Sequence, residues 1–195
     1  MKIEYEATFL NIDKDEMRAK LKVIGAELIR PEFLQKRTVF NLPREEKDIF
    51  SWARVRDEGD KITMSIKIVD GDKIENQKEI CLTVDNYQEA VNFLNELGCH
   101  EKAYQETKRE LWKLDDVEIT IDEWPFLEPF VEVEGQSEEA VKVVSEKLGF
   151  DYSKALFCAV GKIYQMKYNI PLDVINNKTP EIRFEMENPF ASITN

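Results

Sequence analysis

Two short strand-like stretches of this chain carry the pattern Glu-x-Glu. Glu4-Tyr5-Glu6 lies near the start and Glu132-Val133-Glu134 much later, with Asp122 between them just ahead of the turn-like WPFLEP. In an extended strand, residues i and i+2 share a face, so each pair sets two like charges side by side. Two readings of such a face are open. Either it looks at water, or the carboxylates turn inward and hold a cation. All-oxygen carboxylate sets suit hard divalent ions, Mg²⁺ or Mn²⁺, and Mg²⁺ usually keeps waters and takes phosphate oxygens as further ligands.

The cationic residues show a related spacing. Arg54-Val55-Arg56 repeats the i, i+2 pattern, Lys67 sits in the alternating run KITMSIKIV, and Lys108-Arg109 falls in ETKRELWKL. Guanidinium groups bind phosphate oxygens with forked geometry, and lysines act as point charges. A pocket walled by both sets suits a chelated polyphosphate, with cations on one side and a carboxylate-held metal on the other. Taken singly, each motif is commonly just a solvated, salt-bridged strand face. Only their joint order carries weight.

The elements that must position these residues are legible from period and punctuation. IEYEATF, QKRTVFNL (35–42), FSWARVR (50–56), KITMSIKIV (61–69), KEICLTV (78–84), ETKRELWKL (106–114), VEITID (117–122) and PFVEVE (129–134) read as strands. DEGD (57–60) and DD (115–116) are turn material. Three helical segments interrupt them: DKDEMRAKLKVIGA with Asp13 as N-cap, DNYQEAVNFLNELGC with Asp85 as cap, and SEEAVKVVSEKLGF with Ser137 as cap. Each ends at a glycine, Gly25, Gly98 or Gly149. A fourth helix is expected from about Ser153 to Tyr168, stopped by Pro171, and the tail beyond Pro171 lacks a period and reads as a loosely packed extension. Strands outnumber helices and follow one another, which favours an antiparallel sheet. The polar strand faces admit two arrangements: a sheet with its charges in water, or a closed barrel with a polar lumen and helices on its apolar outside.

Composition bounds the function classes. With 195 residues, 43% hydrophobic and 34% charged, the chain suits one domain with a real core. A net charge of −12 argues against non-specific nucleic-acid binding, yet a local cationic pocket can still take a small anion. Only His100 is present, so a histidine triad or a multi-histidine zinc site is nearly excluded. Cys81, Cys99 and Cys158 are scattered and form no C-x-x-C pair. No run reaches the roughly 20 apolar residues of a membrane helix, and there is no leader of signal-peptide form. The expected setting is the cytoplasm, with reduced thiols and no membrane partner.

In order, these motifs resemble the CYTH family, the triphosphate tunnel metalloenzymes. That family's pattern is an N-terminal E-x-E-x-K strand, then R-x-R, a strand lysine, a K/R-rich strand, an Asp and a final E-x-E. Here it reads Glu4-Tyr5-Glu6-Ala7-Thr8, Arg54-Val55-Arg56, Lys67, Lys108-Arg109, Asp122 and Glu132-Val133-Glu134. The resemblance spans roughly residues 1–150. It implies an α+β fold, an eight-stranded antiparallel barrel forming a triphosphate tunnel with helices packed outside. It further implies a domain over 1–170 with a C-terminal extension over 171–195. By the same resemblance, Glu4, Glu6, Asp122, Glu132 and Glu134 are metal ligands for Mg²⁺ or Mn²⁺. Arg54, Arg56, Lys67, Lys108 and Arg109 are phosphate ligands, and Arg37, in QKRTVF, is a weaker candidate of the same kind. The partner is a small triphosphate-containing anion, and a homodimer is an allowed assembly.

One position departs from the pattern. The family lysine closing the first motif is Thr8 here, which carries no charge and is a poor base. Lys162 or Arg183 could supply the missing cation. No catalytic residue is assigned. Three activities are consistent with the resemblance: metal-dependent hydrolysis of inorganic, thiamine or nucleoside triphosphate; class IV adenylyl cyclase chemistry on ATP; and non-catalytic binding of nucleotide or polyphosphate.

Overall fold

The computed structural model describes residues 1–43 and 50–191. In chain order the strands are β1 (Lys2–Ile3), β2 (Tyr5–Phe9), β3 (Glu27–Asn41), β4 (Phe50–Asp57), β5 (Ile62–Val69), β6 (Gln77–Val84), β7 (His100–Leu114), β8 (Val117–Glu123), β9 (Phe130–Gly135) and β10 (Glu181–Ile182). The helices are α1 (Lys14–Val23), α2 (Tyr87–Glu96), α3 (Glu138–Lys147), α4 (Val160–Tyr168) and α5 (Leu172–Asn177).

The sheet order is β1-β6-β5-β4-β3-β7-β8-β9-β2, with antiparallel pairing throughout this path. Its two end strands, β1 and β2, are consecutive in the chain and separated only by Glu4. The sheet therefore curls until both ends meet in one stretch of backbone. Glu4 N–H donates to the Gln77 carbonyl at 2.9 Å, and the Gln77 side-chain amide donates to the Glu6 carbonyl at 2.9 Å, which ties the seam. Counted as one interrupted strand, β1 and β2 complete the ring of eight. Closure removes the exposed edges an open sheet would leave.

Helices pack on the outside. Asp13 caps α1 by accepting from the Asp15 and Glu16 amides, and Ser137 caps α3. Gly25 and Gly149 take the left-handed conformation just beyond these two helices, at φ +82° and +85°. Met17 and Leu21 of α1 join Val141, Val144 and Leu148 at α3 and the outward Ala7, Trp112, Ile119, Val131 and Val133 of the wall in one core. The α2 face of Ala90, Val91 and Leu94 covers Phe40, Ala53 and Val55. Its N-cap is Asn86, not Asp85: the Asn86 side chain accepts from the Glu89 amide.

Two expectations at the C-terminal end are corrected. The fourth helix begins at Val160 rather than near Ser153, because residues 155–159 are not helical and Leu156 exchanges two backbone hydrogen bonds with Thr8. It ends at Asn169, left-handed at φ 52°, ahead of Pro171. The chain beyond Pro171 is not loosely packed. Ile175, Ile182 and Phe190 are buried with Trp124, Phe130 and Tyr164 in a separate core, and β10 pairs in parallel with β7 at Tyr104 and Gln105, on the edge that β8 leaves uncovered. These contacts are long-range, and no periodicity in the tail announces them. Positions 192–195 of the expected extension lie outside the described residues.

Candidate functional site

Strand alternation and barrel closure give this protein a charged interior. Inward positions are Glu4 and Glu6 beside β1 and on β2, Arg37 on β3, Arg54 and Arg56 on β4, Lys67 on β5, Arg109 on β7, and Glu132 and Glu134 on β9; all line one cavity of about 230 Å³. The arrangement chosen is thus the barrel with a polar lumen. Buried charges are costly unless paired or liganded, so the pairing inside the lumen shows what the site lacks.

The carboxylates divide into two groups. Glu4, Glu6 and Glu134 each bring one oxygen within 4.8 Å of the others. They converge because Glu6 and Glu134 are directly opposite across the β2–β9 pair. Lys67 reaches into the group, with Nζ 2.5 Å from Glu4 Oε2 and 3.3 Å from Glu6 Oε1. One ammonium does not balance three carboxylates. Burial, then the Glu6 charge, pushes the Glu4 carboxyl up to about 8 and the Glu134 carboxyl to about 7. Burial alone would lower Lys67, but Glu6 and Glu4 outweigh it and hold the ammonium above its usual range. A concave, over-charged, all-oxygen donor set of this kind fits a hard divalent cation.

Asp122 and Glu132 belong to the other group. Asp122 is fully buried and takes a forked pair of bonds from Arg109, Nε to Oδ1 at 2.7 Å and Nη2 to Oδ2 at 3.0 Å. Glu132 Oε2 lies 2.5 Å from the same Nη2. The two acids hold Arg109 in place instead of joining the three-oxygen cluster. Burial, then Glu6 and Asp122, nevertheless raises Glu132 to about 8.

Each remaining arginine has a different degree of pairing. Arg54 bonds Glu79 at 3.0 Å, and Arg56 bonds Glu58 at 2.7 Å. Neither acid stood out in the sequence: Glu79 lies in a strand without a repeat motif and Glu58 in turn material. Burial would raise Glu79, but Arg54 and Lys67 outweigh it and bring it down to about 2, so it stays ionised. Among the described residues Arg37 has no carboxylate in ion-pair contact. It is 5% exposed, its Nη2 donates to Gln35 and Thr107, its Nε has no partner among the described residues, and its guanidinium lies 4.7 Å from the Trp124 ring centre. Burial, then the charges of Arg56, Arg54 and Arg109, drives Arg37 well below the usual guanidinium range. It is a buried cation facing three other guanidinium groups.

Several sequence expectations fall elsewhere. Lys108 points away from the lumen, since it neighbours Arg109 on an alternating strand; its Nζ lies 3.7 Å from Glu123 and 4.6 Å from the Phe184 ring centre. Thr8 has the parity of Glu4 and Glu6 but is buried outside the cavity lining, between Glu132 of β9 and the Leu156 bridge. Lys162 bonds Gln165 on the surface, and Arg183 pairs with Glu181. The same segment that bridges Thr8 brings Cys158 into the lumen, where burial, then Glu6 and Glu132, lifts its thiol to about 12. A further lumen cation escaped notice. Lys102, on β7, lines the cavity near Phe50 and Trp52.

Comparison with known proteins places this architecture. Residues 2–163 match the CYTH domain. A protein of Methanocaldococcus jannaschii that carries an adenylate cyclase name is 28% identical over 171 residues, covering 85% of this chain and 96% of its own. Among solved structures, a Vibrio parahaemolyticus protein also named for adenylate cyclase superposes with a TM-score of 0.71 at 12% identity, over 84% of this chain and 98% of the other. A Hippeastrum protein named for adenylyl cyclase, described as having a dominant triphosphatase activity, superposes with a TM-score of 0.54 at 13% identity, over 87% and 99%. No helix among the described residues is long and apolar enough to cross a membrane.

Proposed function

Because the chain belongs to the CYTH domain family, we propose that it is a metal-dependent hydrolase of triphosphate-containing small molecules. The observation that carries this reading is Arg37, a buried guanidinium with no carboxylate in ion-pair contact among the described residues, set among Arg54, Arg56 and Arg109 in the same cavity as an over-charged acid cluster. An oligophosphate anion supplies the missing negative charge on one side. A divalent cation, Mg²⁺ or Mn²⁺, held by Glu4, Glu6 and Glu134, supplies charge neutralisation and polarisation of phosphate oxygens.

The chain's own residues do the rest. Arg37, Arg54 and Arg56 present forked donors to non-bridging oxygens. Glu79 and Glu58 keep Arg54 and Arg56 extended into the lumen before substrate arrives. Asp122 and Glu132 fix the Arg109 fork, so its orientation costs nothing when charge builds on the phosphoryl group. Lys67 offsets the Glu4–Glu6 repulsion.

The test is phosphate and pyrophosphate release from inorganic triphosphate, thiamine triphosphate and ATP with Mg²⁺ or Mn²⁺, with cyclic AMP assayed alongside. Metal-dependent phosphate release that Glu6→Gln and Glu134→Gln reduce by roughly a hundredfold supports the hydrolase, at the scale of lost charge stabilisation in a transition state. Cyclic AMP with pyrophosphate as the main products would replace it with the cyclase reading, which the name of the Methanocaldococcus jannaschii relative favours. Tight binding of triphosphate without turnover would make the protein a carrier.

A further inference from the structure

The first half of β3 is irregular around one residue. Leu28 pairs with Trp112, Arg30 with Leu111 and Phe33 with Arg109, so β3 takes up an extra residue on each side of Arg30. Bulges of this kind re-aim a side chain and break the pairing locally. The β3–β4 ladder starts only at Lys36, opposite Asp57, so it does not tie this half of β3 to the β4–β5 turn beyond Asp57.

Arg30 makes that tie with its side chain. Nη1 donates to Asp60 Oδ1 at 2.5 Å, and Nη2 donates to the Glu58 carbonyl at 2.6 Å. The same guanidinium lies 3.5 Å from the Phe33 ring centre. Gly59 permits the approach: it sits at φ +88°, and a Cβ there would lie 3.3 Å from Arg30 Nη2. An arginine paired only with an exposed aspartate would contribute little. Here the guanidinium also holds two residues that line the lumen, Phe33 and Glu58, although Arg30 itself does not line it.

Glu58 carries the contact inward. Its carboxylate is buried, 6% exposed for the whole residue. Oε1 accepts from Arg56 Nε at 2.9 Å and lies 2.7 Å from Arg56 Nη2, with Thr63 Oγ1 at 3.5 Å. Arg30 therefore grips the backbone of the residue whose side chain grips Arg56.

We propose that Arg30 is a positioning residue for Arg56. It fixes the β4–β5 turn from outside the barrel, so that Glu58 holds the Arg56 fork in its binding orientation before an anion arrives. This rests on the triphosphate reading of the lumen. Without Arg30 the turn is loose, and binding must then order Glu58 and Arg56, which weakens it.

The experiment is a double-mutant cycle. Calorimetry measures the dissociation constant of inorganic imidotriphosphate in Mg²⁺ for the wild type, Arg30→Leu, Arg56→Met and the double variant, after ligand-free melting temperatures are compared. Arg30→Leu should weaken binding about fivefold in the wild type, the scale of one or two side chains newly ordered on association. In the Arg56→Met background it should change affinity by less than about twofold, since a positioning effect vanishes with the group positioned. General loosening of the barrel would weaken binding equally in both backgrounds. Should Arg30→Leu not fold, Asp60→Asn, at an exposed side chain, runs the same cycle with an expected loss of about twofold. An unchanged affinity in the single variant, or the same loss with and without Arg56, overturns the proposal. A wild type that does not bind imidotriphosphate overturns the triphosphate reading, and this role with it.

Discussion

Arg37 carries the most information of any single residue in the lumen. Its burial is costly without an anion, and Gln35 and Thr107 satisfy only part of its donor fork. Removing such a charge relieves the ligand-free fold, whereas removing half of a buried pair would injure it. Arg37→Met should therefore leave the ligand-free melting temperature level or higher, while weakening triphosphate binding by at least about tenfold. Differential scanning fluorimetry with and without triphosphate separates the two effects, and a variant that loses stability without ligand would show that Arg37 is structural. From sequence alone Arg37 ranked below Arg54 and Arg56, because it stands outside any i, i+2 pair. The reverse holds for Lys108, whose place beside Arg109 in the motif concealed that neighbours on a strand face opposite ways. Thr8 shows a third kind of limit. Thr8 shares the parity of Glu4 and Glu6 yet is buried outside the cavity lining, in a backbone bridge to Leu156, and only the folded chain brings positions 8 and 156 together.

At the scale of elements, strands and helix caps were legible because their signals are local. Asp13, Ser137, Gly25 and Gly149 act within a turn of their own positions, and alternation set the inward face of β4 and β5 at Arg54, Arg56 and Lys67. The bulge at Lys102, where Val39 pairs with Ala103 and Phe40 with Glu101, was not legible, since one unpaired residue leaves no trace in composition or period. Nor was the tail. Phe190 is fully buried against Tyr164, with ring centres 5.0 Å apart, although its segment reads as irregular. Phe190→Ala should cost about 3–5 kcal/mol in unfolding free energy, measured by urea denaturation; a change below about 1 kcal/mol would show that residues beyond Pro171 are dispensable to the core. Because Ala159 at the start of α4, Gly161 of α4 and Asn176 of α5 also line the cavity, the same variant should loosen one wall of the site.

For the whole molecule, the lumen acids link stability to pH. Glu4 and Glu132 are pushed up to about 8 and Glu134 to about 7, each chiefly by burial, against about 4.5 for a free glutamate. The folded chain thus keeps protons that the unfolded chain releases, so stability is greatest below about pH 4.5 as far as these groups decide it, and is lost as pH rises towards 8. In chelator, the melting temperature should fall between pH 5.5 and 8.5, and Mg²⁺ should raise it more at 8.5 than at 5.5; a flat profile with no pH-dependent metal effect would remove the cluster as a cation site. The seam at Glu4 has a further consequence, for the order in which the protein can be made. Residues 2–9 pair with β6 through β1 and with β9 through β2, and the β9 partners are on the order of a hundred residues later in the chain. Closing so long a loop is entropically slow to begin. Glu6 therefore has no partner on its β9 side until Glu134 has been synthesised, and the nascent chain holds no assembled acid cluster with which to capture metal before the barrel shuts.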